Sequence, residues 1–250
     1  MLPAAADESV RVLILGGWSP GPIDALRWGM REQNTVRFYE PSLPMPPVGV
    51  RWLCTWEAAM LTVCAWLTLL LLNGAGEMPS WVRFVLLLGC VAALPLSTVL
   101  LVRGSIRRGI ATAMYHIEQK HIDVVVGFSW GGGLACWLLA EHTSWHGPTL
   151  LLAPTLQLMA SAARRAIPTF QACADPSEGG LPLVHIFHAT DDECFCPRSQ
   201  HRDLTTTGAA MHTCDDVHVF ADARSELAIL RAFTSCVDEA RRRKRIFPRV

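Results

Sequence analysis

The sequence predicts an α/β protein: a mostly parallel sheet with helices on both faces, into which a two-helix transmembrane hairpin is inserted. Three observations carry that prediction. Short β-rich apolar runs alternate with helix-length stretches, the pattern of a parallel sheet covered on both sides. The alternation stops after residue 50 and resumes near 103, and the segment between is almost free of charge. The composition agrees. Hydrophobic residues make up 51% and charged residues only 18%, with a mean hydropathy of +0.27; an average soluble domain carries about 25% charged residues.

The elements follow in order. Residues 10–16, VRVLILG, form a short apolar run ending in glycines, a buried strand. A helix fits Ile23 to about Arg31, and NTVRFY at 34–39 reads as a second strand, ended by the proline-rich EPSLPMPP. After the hairpin, helices are expected over 104–120, 131–141, 155–166, 198–207 and 222–242. Strands are expected over 121–128, 148–153, 182–188 and 209–214. The stretch 154–181, with Pro168, Pro176 and Gly179-Gly180, is long enough for a small lid.

Residues 52–72, WLCTWEAAMLTVCAWLTLLLL, hold one charge, Glu57, and residues 84–102 hold none. About 20 apolar residues cross a bilayer as a helix. Trp52, Trp56 and Trp81 lie near the ends, where interfacial aromatics belong, and Pro95 is tolerated inside a membrane helix. Arg51 precedes the hairpin and Arg103, Arg107 and Arg108 follow it, so the positive-inside rule puts both ends and the rest of the chain in the cytoplasm. The competing reading is a pair of buried helices, or an apolar cap over a site. The division is then a discontinuous sheet domain, 1–50 with 103–250, and a hairpin, 51–102.

Formal net charge is zero, which gives no electrostatic case for nucleic acid. The basic run Arg241–Arg245 is a solvated helix end or a contact for anionic lipid. Nine scattered cysteines, several inside apolar runs, form no disulfide framework and favour a reducing compartment. Cys194 and Cys196 make a lone C-x-C near His188 and His201. Buried structural cysteine is the commoner case, so no metal is assigned. The N-terminus has acidic residues before its short apolar run, unlike a signal peptide.

Chemistry enters at residues 124–133, VVVGFSWGGG. A serine hydroxyl is a poor nucleophile until a base takes its proton. Placing it on a tight strand-to-helix turn projects Oγ into a cleft, with a helix N-terminus beside it to stabilise negative charge. The turn is strained, so the residues two positions away must be small, and Gly127 and Gly131 flank Ser129. A bare G-x-S-x-G is a weak signal; the preceding strand and following helix strengthen it.

GFSWGG resembles the nucleophile elbow of the α/β-hydrolase family, whose chain order is serine, acid, histidine. The resemblance covers residues 10–40 and 104–240 and implies a minimal version of that fold, lacking the first two strands of larger members. HIFHATDDECFCP at 185–197 resembles the family segment in which a strand ends in H-G-x-x-D with a proline soon after. That implies Asp192 as the acid. Ala189 replaces the usual glycine and Pro197 comes one residue late, which keeps Asp191 open. The loop after the last strand, CDDVHVF, offers His218 as general base and then general acid, while His212 lies within the strand. The resemblance also implies two oxyanion-hole N–H donors: Trp130, after the nucleophile, and Trp18, in LILGGWSPG.

The expectation is a membrane-anchored serine hydrolase of esters or thioesters, acting without metal or organic cofactor. Ligand sites in parallel sheets lie at the C-terminal ends of strands. The hairpin follows such an end, so a lipophilic or acyl-chain substrate is expected. The alternative is a catalytically inactive, membrane-tethered interaction protein with a hydrolase-like domain.

Overall fold

The structure is a computed structural model, and it describes residues 9–19, 21–30, 35–45, 56–73, 79–142, 144–170, 183–205 and 208–246. The last part of the suggested lid, 171–181, lies outside these residues, as do Trp52 and Arg51.

Six strands form one sheet: β1 (Val10–Leu15), β2 (Val36–Tyr39), β3 (Val124–Phe128), β4 (Thr149–Leu152), β5 (Val184–Ala189) and β6 (Ala210–Cys214). They are ordered β2-β1-β3-β4-β5-β6 and every neighbouring pair is parallel. Register pairs Val12 with Val124, Val126 with Leu150, and Leu151 with Ile186. Every residue of β3, β4 and β5 is buried, whereas the edge strands β2 and β6 are only partly covered. That is why the central strands read as unbroken apolar runs rather than as alternating ones.

Helices are α1 (Ile23–Gly29), α2 (Trp56–Asn73), α3 (Ser80–Lys120), α4 (Trp130–Glu141), α5 (Leu156–Ala163), α6 (Arg198–Thr205) and α7 (Ala223–Ile246). Ile23 and Leu26 of α1 join Ile229, Phe233, Cys236 and Val237 of α7 in one core with Val12, Ile14, Val126 and Phe128. Truncating a fully buried phenylalanine such as Phe128, Phe187 or Phe233 costs about 3–5 kcal/mol.

The chain divides into two compact units. One comprises Met1–Leu43, Gly109–Met159 and Ile167–Val250 and holds the sheet; the other comprises Pro44–Arg108 and Ala160–Ala166. In the second unit, α2 and the first part of α3 point their large apolar residues outward. Trp66 is 62% exposed and Leu88 58%, with Val63, Leu69, Phe84 and Leu96 also exposed. Thr62 and Thr68 donate their hydroxyls back to the carbonyls of Ala58 and Cys64, so these polar groups are satisfied within the helix. Arg103 donates to the carbonyl of Ala163 at 2.8 Å, and the Ser105 hydroxyl to that of Pro44.

Two helices expected over 84–102 and 104–120 are in fact one. α3 runs unbroken for 41 residues, through Pro95 and Gly104. Glycine within a helix costs only about 1 kcal/mol relative to alanine, and nothing near Gly104 caps or stops the helix. By length and composition α3 is the one helix among the described residues able to cross a membrane, and α2 contributes a shorter apolar stretch, Ala58–Asn73.

The basic run Arg241–Arg245 lies within α7 rather than beyond it. Arg241 pairs with Asp238, Arg242 and Arg243 pair with the buried carboxylate of Glu239, and Lys244 pairs with Asp123. Much of its charge is therefore engaged within the protein.

Candidate functional site: a serine, a histidine and a carboxylate at the strand ends

The buried valines of β3 fix the position of the turn that follows. Ser129 takes φ 54° and ψ −117°, left-handed backbone that a β-carbon disfavours. Three main-chain hydrogen bonds hold it there. Its N–H donates to Leu152 O at 2.9 Å, and its carbonyl accepts from Gly133 at 3.0 Å and Thr155 at 3.1 Å. The flanking glycines have a steric cause. A β-carbon at Gly127 would lie 2.7 Å from the Gly131 carbonyl, and one at Gly131 would run into the Leu15 carbonyl.

Ser129 is the N-cap of α4, so Trp130 is its first residue and its N–H has no carbonyl to bond within the helix. The loop after β1 approaches from the other side. A β-carbon on Gly17 would sit 2.6 Å from Ser129 Cβ and 3.2 Å from its Oγ. The backbone next to Trp18 is therefore packed against the serine. The Trp18 ring stacks on that of Trp130, centroids 6.2 Å apart.

The other two groups arrive from the last two strand ends. Ser129 Oγ lies 2.8 Å from His218 Nε2, and His218 Nδ1 is hydrogen-bonded to Asp192 Oδ2. Asp192 is buried after β5, and its Oδ1 also accepts the Phe195 N–H at 3.0 Å. A carboxylate on Nδ1 holds the tautomer whose Nε2 carries a lone pair, so Nε2 can accept the serine proton. Of the two candidate acids, Asp192 touches the histidine; Asp191 is exposed and donates its N–H to Asp216 O.

Aromatic rings enclose the histidine. Phe195 and Phe128 lie 4.9 and 5.3 Å from the His218 ring, and Phe195 meets Trp18 edge-on. The surroundings are apolar too: Trp18, Val217 and Val219 are 40%, 46% and 40% exposed. A cavity of about 400 Å³ opens beside Gly16, Gly17 and Trp18, with Asp24, Arg27 and Glu40 on its wall.

Two features were not legible in the sequence: the Phe195 wall and the close approach of Gly17. His212 sits in β6, stacked on Phe187 and 3.1 Å from His185, and burial lowers its pKa. Cys196 is buried, 3.3 Å from His188 Nδ1 and 3.0 Å from the Gln200 amide. Its thiol is pushed up by desolvation and by the negative charge of Asp192. Among the described residues no group of three His, Cys, Asp or Glu could hold a metal ion.

No protein-family model matches the chain, and no curated protein matches it. Solved structures do. A single-residue variant of SOBER1 from Arabidopsis thaliana is 13% identical at a TM-score of 0.47, over 92% of this chain and 99% of that one. MGS-M1, an alpha/beta hydrolase from a Medee basin deep-sea metagenome, is 15% identical at 0.44, over 94% and 86%. A carboxylesterase from Mesorhizobium loti is 13% identical at 0.42, over 90% and 88%. Likeness of this depth carries no argument about what this chain does. Its own parallel strand order, its strained serine turn and the chain order of Ser129, Asp192 and His218 make the sheet unit consistent with an α/β-hydrolase fold.

Proposed function

We propose that the protein is a membrane-anchored serine hydrolase that cleaves carboxylic esters or thioesters carrying lipophilic acyl groups. The observation that carries this reading is the hydrogen-bonded line from Ser129 Oγ through His218 to Asp192, 2.8 Å at its first link. His218 Nε2 takes the hydroxyl proton as Oγ attacks the carbonyl carbon, and Asp192 stabilises the imidazolium that forms. Charge developing on the carbonyl oxygen is met by the N–H of Trp130 at the N-terminus of α4 and by that of Trp18. As the tetrahedral intermediate collapses, His218 returns the proton to the departing oxygen or sulfur, leaving the acyl group on Ser129. Water, deprotonated by the same imidazole, then releases the carboxylic acid and restores the serine.

The apolar surroundings of His218 favour an acyl chain over a charged substrate. The outward apolar side chains of α2 and α3 favour a bilayer as their medium, because soluble monomers rarely expose contiguous apolar patches beyond about 300–600 Å². The arginines that flank the hairpin in sequence favour the cytoplasmic side for the sheet unit.

A fluorophosphonate probe tests the chemistry. Wild type labels and Ser129→Ala does not, and hydrolysis of p-nitrophenyl esters favours longer acyl chains. Folded wild type that takes up no label would overturn the enzyme reading.

A further inference from the structure

We propose that Asp216 is a positioning residue: its carboxylate gathers the loop that carries His218, and its main chain ties that loop to the turn that carries Asp192. The inference rests on the serine-hydrolase reading and adds a residue to it. Asp216 sits at the end of β6, two residues before His218, and is buried. Its Oδ1 accepts the N–H groups of Val217 at 2.7 Å and Ala221 at 3.1 Å, and its Oδ2 accepts that of Asp222 at 2.9 Å. One side chain thus closes the whole turn from 217 to 222 with His218 inside it. The Ser225 hydroxyl, from the first turn of α7, donates to the same carboxylate.

The second half of the arrangement reaches the acid. The Asp216 carbonyl accepts the N–H of Asp191 at 3.1 Å, next to Asp192. Beside it, the Cys214 carbonyl accepts the N–H of Thr190 at 2.9 Å, and the Thr190 hydroxyl donates to Asp215 at 3.0 Å. The acid turn and the histidine turn are thereby pinned to each other by groups whose hydrogen bonds do not involve Ser129. Burial alone would raise the Asp216 pKa. The Ser225 hydroxyl and the three main-chain donors outweigh it and hold the carboxyl below its usual range, so the charged form is the one the loop is built around.

A carboxylate can accept on both oxygens; an amide cannot. In Asp216→Asn the NH2 group faces at least one main-chain N–H whichever way it is turned. The loop loosens, and a displaced base costs rate rather than binding. With a short-chain p-nitrophenyl ester, kcat is expected to fall about 10- to 100-fold while KM stays within about twofold. The rate of fluorophosphonate labelling falls in the same proportion, and the low-field Nδ1 proton signal of His218 broadens. Ser225→Ala, which keeps the carboxylate and removes one donor, gives a smaller kcat loss of about threefold, and it carries the test if Asp216→Asn does not fold. A kcat and labelling rate within twofold of wild type, with only the melting temperature lowered, would overturn the inference. Wild type that does not label at all overturns the hydrolase reading and this inference with it, and so is distinguishable from failure of the inference alone.

Discussion

Strand β3 and helix α2 are built from the same kind of residue and treat it in opposite ways. In VVVGF every side chain is buried between neighbouring strands and helices. In α2 the valine, tryptophan and leucines at 63, 66, 67, 69, 70 and 72 face outward. Apolar content is therefore not what marks α2, since both have it. The mark is an apolar surface left outside after the helix has folded. The difference also separates the roles proposed above: burial in the sheet unit would hold Ser129, His218 and Asp192 in place, and the outward surface of α2 and α3 would provide the attachment.

The largest effects should come from the sheet unit alone. Ser129→Ala and His218→Ala are each expected to lower ester hydrolysis by about 10⁴-fold or more, with fractionation of the protein unchanged. Loss of membrane association in either variant would break the division of roles.

The hairpin answers to a different perturbation. Val63→Arg together with Leu96→Arg places charges at exposed apolar positions of α2 and α3. At the centre of a membrane helix each arginine costs about 2.5–3.5 kcal/mol, whereas on a water-facing surface most substitutions stay within about 0.5 kcal/mol. The double variant should leave the membrane pellet under carbonate extraction and still label with fluorophosphonate. If it remains in the pellet, α2 and α3 are not the anchor.

A third test sharpens the geometric side. Gly17→Ala adds a methyl group 2.6 Å from Ser129 Cβ, so the loop after β1 or the serine must shift. The expected cost is about 10- to 100-fold in kcat, with melting temperature lowered by only a few degrees. An unchanged kcat would show that the loop gives way freely and does not position the oxyanion donors.

How much of this could be read in the sequence depends on whether the information is local. All six strands were legible: the inner ones because a strand buried on both faces must be apolar throughout, the edge strands β2 and β6 as short β-rich runs that end in a turn. The Ser129 turn was legible because its steric demand falls on Gly127 and Gly131, two residues away in sequence. The choice between Asp191 and Asp192 was only partly so: the family resemblance implied Asp192 and left Asp191 open. Adjacent residues in a turn point in different directions, and which one meets a histidine 26 residues further on is decided by the packing of β5 against β6. The union of two helices in α3 was illegible for the opposite reason: an arginine and a glycine at 103–104 resemble a boundary but do not break a helix. Phe195 gave no signal because its role exists only through the side chains of Trp18 and His218.

The smallest expected effect separates the two regions by pH. Asp216 and Glu239 in the sheet unit both have lowered pKa values. Asp216 is held down by Ser225 and main-chain donors against the effect of burial; Glu239 is held down by its hydrogen bond to Arg242, again against burial, with Arg243 assisting. In the window between these lowered values and the ordinary carboxylate value of about 4, the unfolded chain binds more protons than the folded one. Stability therefore rises with pH through that window, is fully present above it, and is lost as pH falls through the lowered values. Between Trp56 and Val102 the only charged residues are Glu57, Glu77 and Arg83, so the hairpin has little to titrate. Urea unfolding, followed by hydrogen exchange of the strand amides, should show stability rising with pH through the acid range and levelling above about pH 5. Asp216→Asn and Glu239→Gln should each flatten that rise, while the helical circular dichroism of α2 and α3 in lipid vesicles stays constant across it. A hairpin signal that follows the same acid transition would mean that the two regions unfold as one.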